Sequence, residues 1–318
     1  MSDGSTIQKV AERLVANISR ELIGKQTQIL HALTCLVAGG HLLLEDLPGL
    51  GKTTLAKALA RSCELSFRRL QCTPDLMPGD ITGVSVYNPQ TQAFDFHAGP
   101  VFAQVLLANE LNRASPRTQS ALLEAMGEGT VTVDRQTWTL QPPFFVIATQ
   151  NPIEFAGTYP LPEAQMDRFF LRISMGYPTL EEEMAVLERF SGTVKPQTTL
   201  QPVCSATDVV EMQNMIGAVY CSKEVRHYIA NIAAMSRTHP SLQLGVSTRG
   251  AIALIRGAQA CALLNDRDYI LPEDVQRMAL PVLAHRILPN PEAKMKGITA
   301  ERILVAVMEN VPVPIRIS

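Results

Sequence analysis

Apolar positions at the start of the chain recur at helical spacing. Ile7, Val10, Ala11, Leu14, Ile18 and Leu22 fall on one helix face, and residues 26–37 carry a second helical pattern. Gly39-Gly40 breaks that pattern, and residues 41–45 read as a short buried strand. Strand-like apolar runs then alternate with helical segments to about residue 175. The further candidate strands are residues 67–72, 104–108, 144–149 and 170–175. This alternation predicts a mainly parallel sheet covered by helices.

Two stretches depart from the alternation. Residues 83–97 and 130–141 read as hairpins, turning at Asn88-Pro89-Gln90 and at Asp134-Arg135-Gln136. They are expected to project from the sheet as insertions. After Gly176-Tyr177-Pro178 the pattern becomes helical over residues 180–190, 206–216, 223–237, 248–264 and 272–286. Thr207-Asp208 and Pro272-Glu273-Asp274 supply helix-start chemistry. The expected organisation is an α/β unit over residues 1–176 and a small all-helical one over residues 177–318.

Composition agrees with two such units. The chain has 318 residues, of which 46% are hydrophobic and 18% charged, enough to bury a sizeable core. The net charge of −2 argues against nucleic-acid binding driven by overall charge. No apolar run approaches the ~20 residues needed to span a bilayer, and residues 1–8 lack the apolar stretch of a signal peptide. The six cysteines form no CxxC pair and read as reduced and mostly buried, so the expected compartment is the cytoplasm. In that compartment the sequon Asn17-Ile18-Ser19 carries no meaning. The six histidines show no metal-ligand spacing.

The strongest chemical signal follows the first strand. Asp46-Leu47-Pro48-Gly49-Leu50-Gly51-Lys52-Thr53-Thr54 leads from an apolar strand into a good helix former. In such a loop the backbone N–H groups and the helix N-terminus converge on an anion. Gly49 and Gly51 let the backbone approach phosphates closely. Lys52 is placed to reach the β- and γ-phosphates, and the Thr53 hydroxyl to ligate Mg²⁺. The strict pattern has glycine where this chain has Asp46.

A second apolar strand ends in Asn109-Glu110. Glu110 suits a general base or water-positioning group. Asn109 stands where an aspartate is expected to help hold Mg²⁺; its amide carries no charge, which should weaken metal binding. A third strand ends in Thr149-Gln150-Asn151-Pro152, and Asn151 is a candidate partner for the γ-phosphate or the attacking water, or a turn residue before Pro152. Arg249 follows Ser247-Thr248 in the first turn of a helical segment, where a cation opposes the helix dipole unless an anion is near. Dinucleotide binding and nucleophile-elbow chemistry find no support: Gly49-Leu50-Gly51 lacks a third glycine at the right spacing, and residues 245–250 lack both the spacing and a preceding strand.

Taken in order, LEDLPGLGKT, LQCTPDLMPGDITG, GPVF, LLANELNRASPRTQSALLEAM, IATQNPIEFAGTYPLPEAQMDRF, STRGAIALIRGAQACALL and PEDV resemble the MoxR-type AAA+ ATPases over nearly the whole chain. The resemblance implies a P-loop NTPase core of the AAA+ kind with a C-terminal helical lid. It also implies assembly as a ring, usually a hexamer, with ATP and Mg²⁺ as ligands. By the same resemblance Lys52 and Thr53 match the Walker A pair, Glu110 the Walker B glutamate and Asn151 sensor 1. Arg168 resembles the arginine finger, with Arg113 a rival or a structural partner; Arg249 matches sensor 2. Ile23-Gly24 resembles the stretch that cradles adenine, and the two hairpins match inserts that commonly face the ring pore or a partner.

The implied activity is ATP-driven remodelling or maturation of partner protein complexes, including metal-cofactor insertion, often with a separate protein carrying a von Willebrand factor A domain. Asn109 motivates an alternative, a nucleotide-gated assembly module with little turnover. A nucleic-acid motor is a lesser alternative, because the hairpins carry Asp95, His97, Asp134 and Arg135 and no basic stripe.

Overall fold

The computed structural model describes residues 7–151, 157–191 and 200–314. Five strands form one parallel sheet: β1 (Leu42–Glu45), β2 (Phe67–Gln71), β3 (Val105–Asn109), β4 (Phe145–Gln150) and β5 (Leu171–Ile173). Their spatial order is β2-β3-β4-β1-β5. Each lies within two residues of the stretch expected from its apolar run.

Strand residues alternate between two apolar clusters, as side chains on a pleated strand must. Leu42 and Leu44, Val105 and Leu107, and Phe145 and Ile147 face one side. Leu43, Leu106, Ala108, Val146 and Ala148 face the other. The first side is covered by helices Ile7–Ser19, Gln26–Val37 and Lys52–Ser62, and continues into the helices of the C-terminal half. Helix Pro116–Glu128 covers the second through Leu122, Leu123 and Met126. All six residues of β4 are buried. With both faces of β1, β3 and β4 covered, polar side chains of these central strands emerge at the C-terminal edge of the sheet. Glu45, Gln71, Asn109 and Gln150 all lie there.

Both inserts are antiparallel hairpins, Gly83–Asn88 with Ala93–Ala98 and Thr130–Val133 with Gln136–Thr139. They brace each other: Phe96 stacks on Trp138 with ring centroids 4.6 Å apart. Tyr87 and Phe94 remain exposed on the first hairpin. The sequon residue Asn17 is buried and donates to Ser62 Oγ at 2.9 Å.

The C-terminal half is helical, and helix Thr248–Leu264 packs on Pro272–Leu283 and on Gln26–Val37. One short antiparallel pairing, Leu242–Leu244 with Leu288–Pro289, interrupts it. That pairing, and helices Pro291–Met295 and Ala300–Glu309, are absent from the pattern reading. The two halves are joined at Arg286, whose guanidinium is buried. It donates to Asp167 Oδ1 at 2.7 Å, to Phe169 O at 2.8 Å and to Phe170 O at 3.0 Å. Arg249 reaches the same carboxylate at 3.1 Å, but its side chain is 78% exposed.

These two arginines share a partner and differ in burial, so their variants separate. Arg286→Ala leaves buried acceptors unpaired and is expected to cost about 3–5 kcal/mol. Arg249→Ala is expected to cost about 1 kcal/mol or less. Urea denaturation of both variants beside the parent checks the contrast.

Candidate active site

The loop after β1 turns into helix Lys52–Ser62 through two left-handed glycines, Gly49 at φ 88° and Gly51 at φ 87°. A side chain is strained at such φ values, and a Cβ on Gly51 would also meet Leu22 Cδ1 at 2.7 Å. The loop is therefore held open at the helix N-terminus, where backbone N–H groups collect.

Asp46 explains the departure from the glycine pattern. Its carboxylate accepts from Leu47 N at 2.9 Å, Ser174 Oγ at 2.9 Å and Gly176 N at 2.8 Å. It ties the start of the loop to the chain leaving β5. Burial would raise its pKa, but the donors of Gly176, Ser174 and Leu47 outweigh burial and hold the carboxyl below its ordinary range. The Asp46 carbonyl accepts from Lys52 Nζ at 2.6 Å. Burial pulls the Lys52 pKa down, against the attraction of Asp46 and Glu110.

A cavity of about 360 Å³ lies over this loop, lined by Pro48, Gly49, Gly51, Lys52, Thr53, Thr54, Arg69, Asn109, Glu110, Thr149, Gln150 and Asn151. Residues from three neighbouring strand ends thus meet the helix N-terminus in one crevice. Glu110 follows β3 with left-handed backbone, φ 57° and ψ 51°, an uncommon conformation for a residue with a side chain. Its N–H donates to Thr149 Oγ1 at 2.9 Å, and its carboxylate accepts from Gln71 Nε2 at 2.9 Å and Arg113 Nη1 at 3.2 Å. Arg113 is thus a partner of Glu110 within its own chain.

A larger cleft of about 1380 Å³ adjoins the loop. Leu22, Ile23, Leu50, Tyr177, Leu187 and Phe190 supply apolar lining, and Pro48, Gly49, Gly51 and Thr54 border it as well. An apolar cleft opening beside a phosphate-type loop suits a flat base. Ile23 faces it. Gly24 instead packs on helix Leu180–Phe190, where a Cβ would overlap the Glu182 carboxylate.

The donor set fits a nucleotide with its cation. A Cβ-free cradle, one ammonium and a threonine hydroxyl face the same crevice, and Glu110 lies across it. The Asn109 amide is already engaged at both ends, accepting from Thr149 Oγ1 at 2.9 Å and donating to Gln71 Oε1 at 2.7 Å. Arg168 and Arg249 do not line either cavity. Arg168 is exposed and donates to Leu123 O at 2.6 Å. The four residues Ile153 to Ala156 and Pro152, part of the motif around Asn151, lie outside the described residues.

Comparison with known proteins agrees with this geometry. The family model for the ATPase family associated with various cellular activities (AAA) matches residues 41–171, and the AAA lid domain model matches residues 234–306. Chaperone MoxR1 of Mycobacterium tuberculosis is 36% identical over 95% of this chain and 82% of its own length. The chain belongs to the MoxR family of AAA+ ATPases. Protein YeaC of Bacillus subtilis, described as uncharacterized, is 49% identical over 96% of this chain and 95% of its own. A crystal structure of a candidate ATPase from Cytophaga hutchinsonii superposes with a TM-score of 0.90 at 38% identity, covering 97% of this chain and 96% of that one. Among the described residues no helix is long and apolar enough to cross a membrane.

Gln71, Arg69, Thr149 and Gln150 join the MoxR-family site although none was a candidate from sequence; Gln71, Thr149 and Gln150 lie inside motifs quoted for the resemblance. Gln71 and Arg69 lie on β2, whose register against β3 brings Gln71 opposite Asn109.

Asp46 gives a pH prediction. A carboxyl held low in the folded state contributes stability above its unfolded pKa, and that contribution is lost as pH falls through the folded one. The parent should exceed Asp46→Asn in stability at pH 7, and the gap should close as pH drops below about 4. Denaturation midpoints of both proteins across that range check it.

Proposed function

We propose that this MoxR-family chain hydrolyses ATP within a hexameric ring of its own copies and uses the cycle to remodel a partner protein complex.

 The observation that carries this reading is that Lys52, at the N-terminus of the helix after β1, and Glu110, after β3, line one crevice at the end of a parallel sheet. Residues 1–176 form the nucleotide-binding core in this reading, and residues 177–318 the lid.

Each role follows from chemistry. The N–H groups around Gly49 to Thr53 receive the phosphates, and Lys52 leaves the Asp46 carbonyl to pair with them. Glu110 takes a proton from the attacking water, and Asn151 orients that water or the γ-phosphate. Thr53 and Asn109 face the place of the Mg²⁺ ion, which when bound neutralises charge developing on the phosphate oxygens. Ile23 and the apolar cleft take the adenine.

Arg168 and Arg249 complete the site from a neighbouring copy. Both are exposed, both lie away from this chain's own crevice, and Arg249 is held to Asp167, next in sequence to Arg168. A permanently charged planar fork suits a transferring phosphoryl group. The exposed Tyr87 and Phe94 offer the first hairpin as a client contact. The client class is a protein complex awaiting maturation, including metal-cofactor insertion, recruited through a separate von Willebrand factor A domain protein in the cytoplasm. A second reading, a nucleotide-gated module with slow turnover, is favoured by Asn109, which supplies no carboxylate for the cation.

Two experiments test the assignment. Lys52→Ala should lose nucleotide binding, whereas Glu110→Gln should keep binding and lose turnover by about a hundredfold or more. Steady-state phosphate release and a fluorescent ATP analogue read the two; unchanged turnover in either variant rejects the site. Arg249→Ala and Glu110→Gln should each be inactive alone, yet mixing them should restore part of the turnover. In mixed rings an intact crevice then meets an intact arginine. No recovery on mixing places Arg249 in its own subunit's site.

A further inference from the structure

The crevice over the phosphate-type loop is lined by two cations, Lys52 and Arg69, and one carboxylate, Glu110. Asn109 beside them carries no charge. Lys52 donates to the Asp46 carbonyl at 2.6 Å, and Glu110 is paired with Arg113 at 3.2 Å. Among the described residues Arg69 has no carboxylate partner. Its guanidinium donates through Nη2 to the neutral Gln71 Oε1 at 3.1 Å. Arg68, its neighbour on the same strand, is also exposed but does not line the crevice. Alternation along β2 is the reason: Arg69 and Gln71 belong to one face of the strand, Arg68 and Leu70 to the other.

A cation that shares a crevice with another cation is disfavoured until an anion lies between them. A guanidinium is permanently charged and presents a planar fork to phosphate oxygens. Its place in the sheet decides which phosphate it meets. The apolar cleft adjoins Gly176 and Tyr177, on the chain that leaves β5, and β2 is the strand at the opposite edge of the sheet. A nucleotide with its base in that cleft and its phosphates over residues 49–53 runs its terminal phosphate toward β3 and β2. Asn109 matters here through what it lacks. Asn109 Nδ2 and Arg69 Nη2 end on the same Gln71 oxygen, at 2.7 Å and 3.1 Å. An aspartate at 109 would set a carboxylate beside the guanidinium and hold it as an ion pair, whereas the amide leaves its charge uncompensated.

We propose that Arg69 is a phosphate-binding residue of this crevice: the subunit's own β2 supplies a guanidinium that contacts the terminal phosphate of ATP. The inference rests on the crevice being the ATP site. Arg69 then gives the site a second cation besides Lys52, one that meets ATP and misses ADP. Its charge needs no bound metal, so the preference for the triphosphate survives where Asn109 holds Mg²⁺ weakly.

The test is nucleotide binding to the full chain, read with fluorescent ATP and ADP analogues in the presence and absence of Mg²⁺. The parent is compared with Arg69→Ala, Arg69→Lys and Arg68→Ala. Both arginines are exposed, so their replacement is expected to leave the fold intact, and Arg68→Ala controls for the lost charge. Arg69→Ala should weaken ATP binding on the order of tenfold and ADP binding by no more than about twofold, the loss of one contact between charged groups. The ATP loss should persist without Mg²⁺, and Arg69→Lys should fall between Arg69→Ala and the parent. Arg68→Ala should bind both nucleotides as the parent does. Equal losses for ATP and ADP, or a loss matched by Arg68→Ala, overturn the assignment. A defect confined to ATP-dependent assembly in size-exclusion chromatography, with both affinities unchanged, overturns it too. Lys52→Ala distinguishes the two failures. Retained ATP binding there removes the reading of the crevice and the inference with it, whereas lost binding there with Arg69→Ala behaving as the parent removes the inference alone.

Discussion

Burial of the parallel sheet on both faces is the constraint on which the rest of the molecule depends. Leu42 to Leu44, Val105 to Ala108 and Phe145 to Ala148 have no exposed surface at all. A strand enclosed in this way has no side-chain position open to polar chemistry except at its ends. Parallel strands put equivalent ends on one edge, so Glu45, Gln71, Asn109 and Gln150 are brought together by topology before any of them makes a contact. The helix that follows β1 then adds its N-terminus to the same edge. A crevice with convergent donors is a consequence of how this sheet is covered.

Rigidity at that edge comes from groups bound to backbone. Asp46 anchors the loop to the segment after β5, and its three donors keep it ionised. Arg286 anchors the C-terminal half to the carbonyls that precede β5. Both anchors converge on β5, the edge strand beside β1. That strand is short, with three residues, and contributes little ladder of its own. Charge-assisted bonds supply at this edge the fixing that a longer strand would give through its backbone.

Much of this was legible in the residues. Apolar runs without polar gaps located β1, β3 and β4, because a doubly covered strand must be apolar throughout, whereas β2 and β5 carry arginines and are less enclosed. The loop from Gly49 to Thr53 and the acid at Glu110 were legible because each carries its own local chemistry. Gln71 and Arg69 were not, since their importance lies in the pairing of β2 with β3, a contact set by register across 38 residues of chain. Asp46 read as a lapse from the glycine pattern because its partners, Ser174 and Gly176, are 128 and 130 residues away. The small pairing of Leu242–Leu244 with Leu288–Pro289 was too short to show a period. The role proposed for Arg168 toward a second copy depends on an interface that a single chain does not contain.

The position of Asp167 links that interface to the lid. One carboxylate receives both the buried Arg286 and the exposed Arg249, and Arg168 follows it in sequence. Arg286 cannot leave without exposing buried carbonyls, and it ties Asp167 to the C-terminal half. Arg249 is held by a single exposed contact and is free to exchange that carboxylate for a stronger anion. In the proposed ring, a neighbour's triphosphate is such an anion and its diphosphate a weaker one. In that proposed ring, competition between Asp167 and a neighbour's phosphate for Arg249 would couple the nucleotide state of one subunit to the lid of the next.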